Sequence, residues 1–288
     1  MLRKKSTLKN SRRNLLIKNR PDKLHRNTKM SEDNQMLTFG GHLEVLRRML
    51  FRVLIVAAVF AVAIFCFKNT TFDLLLAPSK SDFCLYHWIE RFFAWVGYDF
   101  HFAPFGVDLI ATDLSSQFMT HISTSLYLGL LCASPYILYE LFRFISPALY
   151  ENERKYSIPI LLIIYTLFIV GVLMSYFILF PISFRFLGTY SVAKQVHSTI
   201  TLDSYISTFV TLTLVMGVVF QLPVIAYFLA KIDVINGDML AKYRQYAFLI
   251  IMIVAAIITP PDLMTLVLVT IPLYLLYEVS IFVTRKIK

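Results

Sequence analysis

Long uncharged runs alternate with short charged segments along this chain. Residues 114–139 and 156–184 carry no charged side chain, and each run is long enough to cross a bilayer core of about 30 Å at about 1.5 Å per helical residue. The polar segment Arg143–Lys155 lies between them and holds a proline turn and charges of both signs. The pattern therefore predicts two membrane-spanning helices joined by this loop.

The same alternation continues through the rest of the chain. Hydrophobic residues make up 57% of the sequence and the mean hydropathy is +0.65, which excludes an ordinary soluble domain. We predict an all-α polytopic membrane protein with six transmembrane helices, residues 30–288, preceded by a disordered basic tail, residues 1–29. The predicted spans cover about residues 53–67, 114–142, 156–184, 204–230, 245–259 and 263–284.

Lysine and arginine are distributed unevenly among the loops. The tail holds eleven of them against one acid, and the loops 143–155 and 231–244 and the C-terminus hold three each. The segment Lys68–Asp113 has six acids against three bases. The positive-inside rule therefore predicts that both termini are cytoplasmic, and it explains the net charge of +10 without nucleic acid.

Two features between the first two spans have no assigned role. The aromatic-rich loop 79–108 is typical of an interfacial cap or of short amphipathic helices on the membrane surface. His121 is the single histidine of the second predicted span. A histidine in such a position is more often a hydrogen-bonded interface residue than a ligand.

The chemistry of the chain does not favour an enzyme. The sequence has no HExxH, GxSxG, P-loop or nucleotide-binding glycine motif, and its three cysteines show no metal-ligand spacing. We therefore predict no catalytic residue, no metal and no cofactor. The competing hypothesis is a secondary ion or solute transporter using Gln221 and Glu278, although no internal repeat accompanies them.

Several short motifs occur in a fixed order. The segment Phe144–Arg154 reads FxxPALYxxER, and the chain also holds HLEVLRR, LLLAP, ATD, SPYILYE, FxLFP, FQLPV and TPPD. Together they resemble the TatC family, the multispanning subunit of the twin-arginine protein translocase. The resemblance covers about residues 30–288.

The resemblance implies a function, partners and a location. It implies a receptor for twin-arginine signal peptides and the core of a translocase that exports folded proteins across the bacterial inner membrane, driven by the proton-motive force. It further implies TatA-like and TatB-like single-span subunits, contact with membrane lipids, and homo-oligomers in the receptor complex.

The resemblance also implies two groups of site residues. Carboxylates suit a peptide carrying two arginines, because they bind planar guanidinium groups through paired hydrogen bonds. The signal-peptide contacts expected are Phe144, Leu149, Tyr150, Glu153, Arg154, Arg47 and Glu140. The intramembrane or partner contacts expected are Gln221, Tyr176, Pro78 and Asp262.

A structural interpretation stays open for several of these positions. An alternative role for Pro78, as for Pro181 and Pro223, is to shape helix ends and kinks. An alternative role for Tyr176 is packing between helices. Gln221 stands where many family members have glutamate, so a role that needs a titrating carboxylate is disfavoured. Glu44 is displaced by one position from the family's usual glutamate, which is Val45 here.

Overall fold

Helices dominate the described part of the chain. The computed structural model describes residues 39–98, 109–145, 157–191, 193 and 199–286, and it divides after Arg52 into two compact units, Met1–Arg52 and Val53–Lys288. The helices are α1 (Phe39–Cys66), α2 (Lys68–Leu76), α3 (Cys84–Val96), α4 (Ser116–Cys132), α5 (Ser134–Ile145), α6 (Ser157–Met174), α7 (Phe180–Thr189), α8 (Leu202–Val219), α9 (Leu222–Lys231), α10 (Gly237–Lys242), α11 (Arg244–Ile258) and α12 (Leu263–Arg285).

The apolar helices lie where the apolar runs predict them. Among the described residues, four helical stretches are long and apolar enough to cross a membrane: Glu44–Cys66, Ile158–Thr189, Leu202–Lys231 and Leu263–Arg285. Helices α4 and α5 together pass the same test but are bent by 52°, and α11 is apolar with only 15 residues. The prediction of an all-α polytopic membrane protein is confirmed.

Strands contribute little to the described fold. Leu109–Ile110 (β1) pairs in parallel with Ile200–Thr201 (β2), so the segments that precede α4 and α8 are joined by a two-residue ladder. The predicted interfacial segment contains a true helix, α3, which ends at Gly97. Gly97 adopts φ +91°, a left-handed conformation that costs glycine little, and it terminates the helix there.

Prolines shape several spans, each in a different way. Pro135 follows the break between α4 and α5, and Pro223 opens α9 after the break at Gln221. Pro181 is the second residue of α7, which begins directly after a π-helical turn, Ser175–Leu179. Pro272 does not interrupt its helix, because α12 runs through it from Leu263 to Arg285. Neighbouring helices commonly satisfy the backbone group that such a proline frees.

Close backbone approach holds α6 against α8. A Cβ atom built on Gly171 would lie 2.6 Å from the Met216 carbonyl oxygen and 2.9 Å from Cγ of Phe220. Gly217 lies in the same way against the Phe168 ring. Small residues let helices approach closely in lipid, where the hydrophobic effect does not drive helices together. Leu212 and Met216 of α8 are consequently completely buried.

His121 is buried, as expected, but it differs from expectation in its contacts. Its ring stacks on Phe65 with centroids 4.2 Å apart and meets the edge of Phe72 at 5.7 Å. Within the described residues, its Nε2 atom has no hydrogen-bond partner. Nε2 therefore does not make the expected hydrogen bond with any described residue, and the contacts of the ring are with aromatic side chains.

Candidate functional site

The predicted signal-peptide loop lies largely outside the described residues. Its near edge is the end of α5, where Arg143 is in the last turn and Phe144 is half-buried. Four predicted contacts fall in the undescribed segment 146–156: Leu149, Tyr150, Glu153 and Arg154. The structure therefore fixes where this loop begins and ends, at α5 and α6.

Glu140 lies one turn before Phe144 and is held by its own helix. The carboxylate is 3% exposed, and the Tyr136 hydroxyl donates a hydrogen bond to its Oε1 atom at 3.0 Å. A carboxylate at this position is positioned by the fold rather than freely presented to water. Its predicted contact with a guanidinium group stays a prediction.

Arg47 belongs to the first unit, in the exposed amphipathic part of α1. Glu44 accepts a hydrogen bond from Arg48 Nε at 2.9 Å and lies 3.8 Å from Arg47 Nη1, and Arg47 also lies 5.7 Å from the Phe51 ring centroid. Exposed pairs of this kind contribute little to stability. The displaced Glu44 therefore forms ion pairs with arginines of its own helix.

An apolar groove of about 320 Å³ opens between α5, α6, α8 and α9. Leucine, isoleucine, valine and phenylalanine supply nearly all of its walls, and Ser134 and Gln221 are its polar residues. Its lining reaches Phe142 on α5, two residues before Phe144, and Phe228 on α9. The groove thus extends from the loop end of α5 into the apolar part of the bundle.

The two polar atoms of the Gln221 side chain differ in their hydrogen bonding at the wall of this groove. Its Nε2 atom donates to the Ile164 carbonyl oxygen at 3.1 Å, which ties α9 to α6. Its Oε1 atom is buried and, within the described part of the chain, has no hydrogen-bond partner, as is also true of Ser134 Oγ. A buried acceptor without a donor costs free energy, so this side chain is only partly satisfied by its bond to Ile164.

Sequence reasoning identified Gln221 but missed the groove. The groove forms where two proline-containing helical stretches are interrupted: α4 and α5 are bent by 52°, and α8 gives way to α9 at Phe220 and Gln221. Pro135 and Pro223 are the signal in the sequence, because proline lacks the amide hydrogen that continues a helix. They mark the breaks without giving the direction in which the halves turn.

Pro78 and Tyr176 lie together at the C-terminal end of α2. The Tyr176 hydroxyl donates to the Leu74 carbonyl at 2.8 Å, and Tyr205 donates to the Leu75 carbonyl at the same distance. Pro78 is buried in the turn that follows, close to the Tyr86 hydroxyl. The last carbonyls of a helix lack partners within it, so these tyrosines cap α2.

Tyr86 joins this arrangement from α3. Its hydroxyl donates to the Pro181 carbonyl at 3.1 Å, and the Arg185 guanidinium lies 4.7 Å from its ring centroid. Burial raises the pKa of the Tyr86 phenol above its ordinary value, and the neighbouring Arg185 charge partly opposes that rise. The phenol therefore stays protonated and keeps donating at neutral pH.

Asp262 begins the last span. Its Oδ1 atom accepts a hydrogen bond from the Thr265 amide at 2.7 Å, and its Oδ2 atom accepts one from the Thr265 hydroxyl. This is the N-cap arrangement, and a negative charge also complements the positive end of the helix dipole. The structure therefore gives Asp262 a capping role in α12, and its contact with a partner stays a prediction.

The two residues of the transporter hypothesis have separate partners. Glu278 forms an ion pair with Arg244 through both carboxylate oxygens: Arg244 Nε lies 2.8 Å from Oε1, and Arg244 Nη2 lies 2.8 Å from Oε2. Glu278 Oε1 also accepts a hydrogen bond from the Tyr274 hydroxyl. Gln221 is bound to Ile164 instead. Within the described residues, no cluster of histidine, cysteine or carboxylate side chains is arranged to hold a metal ion.

Comparisons with known proteins agree with the geometry. Residues 41–272 match the family described as Sec-independent protein translocase protein (TatC). A TatC protein from Blattabacterium sp. subsp. Periplaneta americana is 35% identical over 259 residues, 88% of this chain and 97% of the relative. The TatC protein from Escherichia coli K12 is 31% identical over 254 residues, which is 88% of this chain and 90% of that relative.

Solved structures match as well. A crystal structure of the twin-arginine translocase receptor TatC is 34% identical, with a TM-score of 0.67, and the match covers 84% of this chain and 97% of that one. A second, in the detergent DDM, gives a TM-score of 0.69 at 34% identity, covering 85% and 99%.

Proposed function

The chain belongs to the TatC family, and as such it is a multi-pass membrane component of the Sec-independent protein translocase rather than an enzyme; from this premise we propose that it is the receptor for twin-arginine signal peptides. The receptor lies in the bacterial inner membrane with both termini in the cytoplasm. It works with TatA-like and TatB-like single-span subunits and with further copies of itself. The proton-motive force drives export.

The apolar groove is the observation that carries this proposal. An export signal places an apolar segment after its charged start. The groove has nearly continuous apolar walls, and its lining comes within two residues of Phe144, where the predicted recognition loop begins. A peptide whose arginines meet that loop is therefore able to lay its apolar segment in the groove.

The arginine pair is recognised by the loop in this proposal. Glu153 accepts one guanidinium group, because paired hydrogen bonds to a carboxylate are strong where headgroups partly exclude water. Phe144 adds a cation–π contact from the end of α5. The remaining proposed signal-peptide contacts are Leu149, Tyr150, Arg154, Glu140 and Arg47. The proposed partner contacts are Pro78, Tyr176, Gln221 and Asp262.

A photocrosslinking experiment tests the groove. A photoactivatable phenylalanine analogue replaces Leu141 or Ile225, which line the groove and are both substantially exposed. Leu162 of α6, exposed and outside the groove lining, is the matched control. We expect the groove positions to crosslink to the apolar segment of a twin-arginine precursor in membrane vesicles, and the control to do so much less. Equal crosslinking at all three positions would contradict the proposal.

A further inference from the structure

Both tryptophans of the chain, Trp88 and Trp95, lie on α3. They are 75% and 83% exposed, and Phe92 between them is 58% exposed. At about 100° per residue, these three side chains fall within an arc of about 60° on one side of the helix. Large aromatic side chains grouped on one face and exposed mark an interaction surface.

The remaining sides of α3 have different character. Tyr86 is buried and tied by its hydroxyl to Pro181, and Phe83, just before the helix, packs against Tyr176 and Phe177 at 5.8 and 6.0 Å between centroids. His87 and Glu90 lie on another side, with Nδ1 3.7 Å from Oε2. The helix therefore has an inner anchored side, a polar side, and an aromatic side that stays exposed among the described residues.

Two observations identify the occupant of the aromatic side as lipid. Phe83 stacks on Phe177, which is itself exposed on the apolar span formed by α6 and α7, so α3 borders a surface of the kind that faces acyl chains. An amphipathic helix with tryptophan and phenylalanine on one face and charges on another is typical of helices that lie in the membrane interface. Tryptophan is enriched at headgroup level because its ring is apolar while its N–H needs a polar partner.

We propose that α3 lies in the plane of the membrane, with Trp88, Phe92 and Trp95 inserted at the boundary between headgroups and acyl chains. In the predicted topology the second span lies between α3 and the loop 143–155, so this leaflet is the one opposite the proposed recognition loop. The Tyr86 bonds to Pro78 and Pro181 then fix the end of α2 and the start of α7 at the depth of that interface. The proposal is independent of signal-peptide binding.

Selectively excited tryptophan fluorescence tests this directly, because both tryptophans of the chain lie on α3. The full chain is reconstituted in vesicles of phosphatidylcholine and phosphatidylglycerol whose acyl chains carry bromine near the headgroup end or near the methyl end. We expect a large loss of emission with bromine near the headgroup, a smaller loss with bromine near the methyl end, and little quenching by iodide in the water. Trp88→Phe and Trp95→Phe, each made singly, should both retain this order.

A tryptophan on the polar side provides the matched control. Ala94 is exposed and lies about 120° around the helix from Trp88. Ala94→Trp in a Trp88→Phe, Trp95→Phe background should be quenched by iodide and weakly by brominated lipid. Equal lipid quenching of the control, or iodide quenching of the natural tryptophans, would overturn the proposal. So would protection of the natural tryptophans that appears only after partner subunits are added.

Discussion

Replacing Tyr205 with phenylalanine should destabilise the protein measurably. The Tyr205 side chain is 2% exposed, and its hydroxyl donates to the Leu75 carbonyl at 2.8 Å, across 130 positions in sequence. The substitution removes only the hydroxyl and keeps the ring contacts with Phe180 and Phe184. The experiment therefore isolates the cap on α2.

The size of the effect follows from burial. A buried carbonyl left without its donor costs about 1–3 kcal/mol, because water does not reach it. At about 2–4 °C per kcal/mol for chains of 150–250 residues, the midpoint of thermal unfolding should fall by about 2–12 °C. Tyr176→Phe removes a similar bond to Leu74, but that bond is exposed at the protein surface, so its loss does not leave an acceptor sealed inside the protein.

Thermal unfolding in detergent, followed by size-exclusion chromatography, measures both variants. We expect Tyr205→Phe to lower the midpoint clearly more than Tyr176→Phe does. Unfolding of Tyr205→Phe at the wild-type midpoint would refute the argument that this bond caps α2. An equal loss in both variants would refute the distinction drawn from burial.

Two further predictions concern the tail and the helix packing. Chains that begin at Met30 should restore export in a translocase-deficient cell as well as the full chain, because the segment before it is too charged to form a core; lost export at unchanged protein level would contradict this. Gly171→Val should lower the free energy of unfolding by about 1–3 kcal/mol, because the added side chain pushes α6 away from α8. The control is Val170→Ala, at an exposed neighbouring position. Equal unfolding midpoints for the two variants would contradict the close packing.

The long apolar helices were predictable because a bilayer imposes a simple requirement. A helix that crosses it needs a long apolar run, and residues 156–184 correspond closely to the helical stretch Ile158–Thr189. The short apolar helix α11, Arg244–Ile258, was equally predictable, because it coincides closely with the apolar run at residues 245–259. Local composition is sufficient for such elements.

The groove and the cap were not predictable in the same way. A proline marks a possible break, yet Pro223 opens a new helix while Pro272 lies inside a continuous one. The difference depends on which neighbours satisfy the freed backbone groups. Likewise, the pairing of Glu278 with Arg244 joins residues 34 positions apart, and nothing local in the sequence specifies it.

The most direct test of the central claim asks whether Glu153 reads the arginine pair. Signal-peptide crosslinking is titrated in membrane vesicles for the wild type and for Glu153→Gln, with Glu151→Gln as the matched control, using signals that carry two arginines or two lysines. Losing a desolvated partner of a charged pair costs about 2–5 kcal/mol, so Glu153→Gln should weaken binding of the arginine signal strongly and the control should not. The change from arginine to lysine should then matter much less in Glu153→Gln than in the wild type. Simple additivity of the two changes would contradict the account.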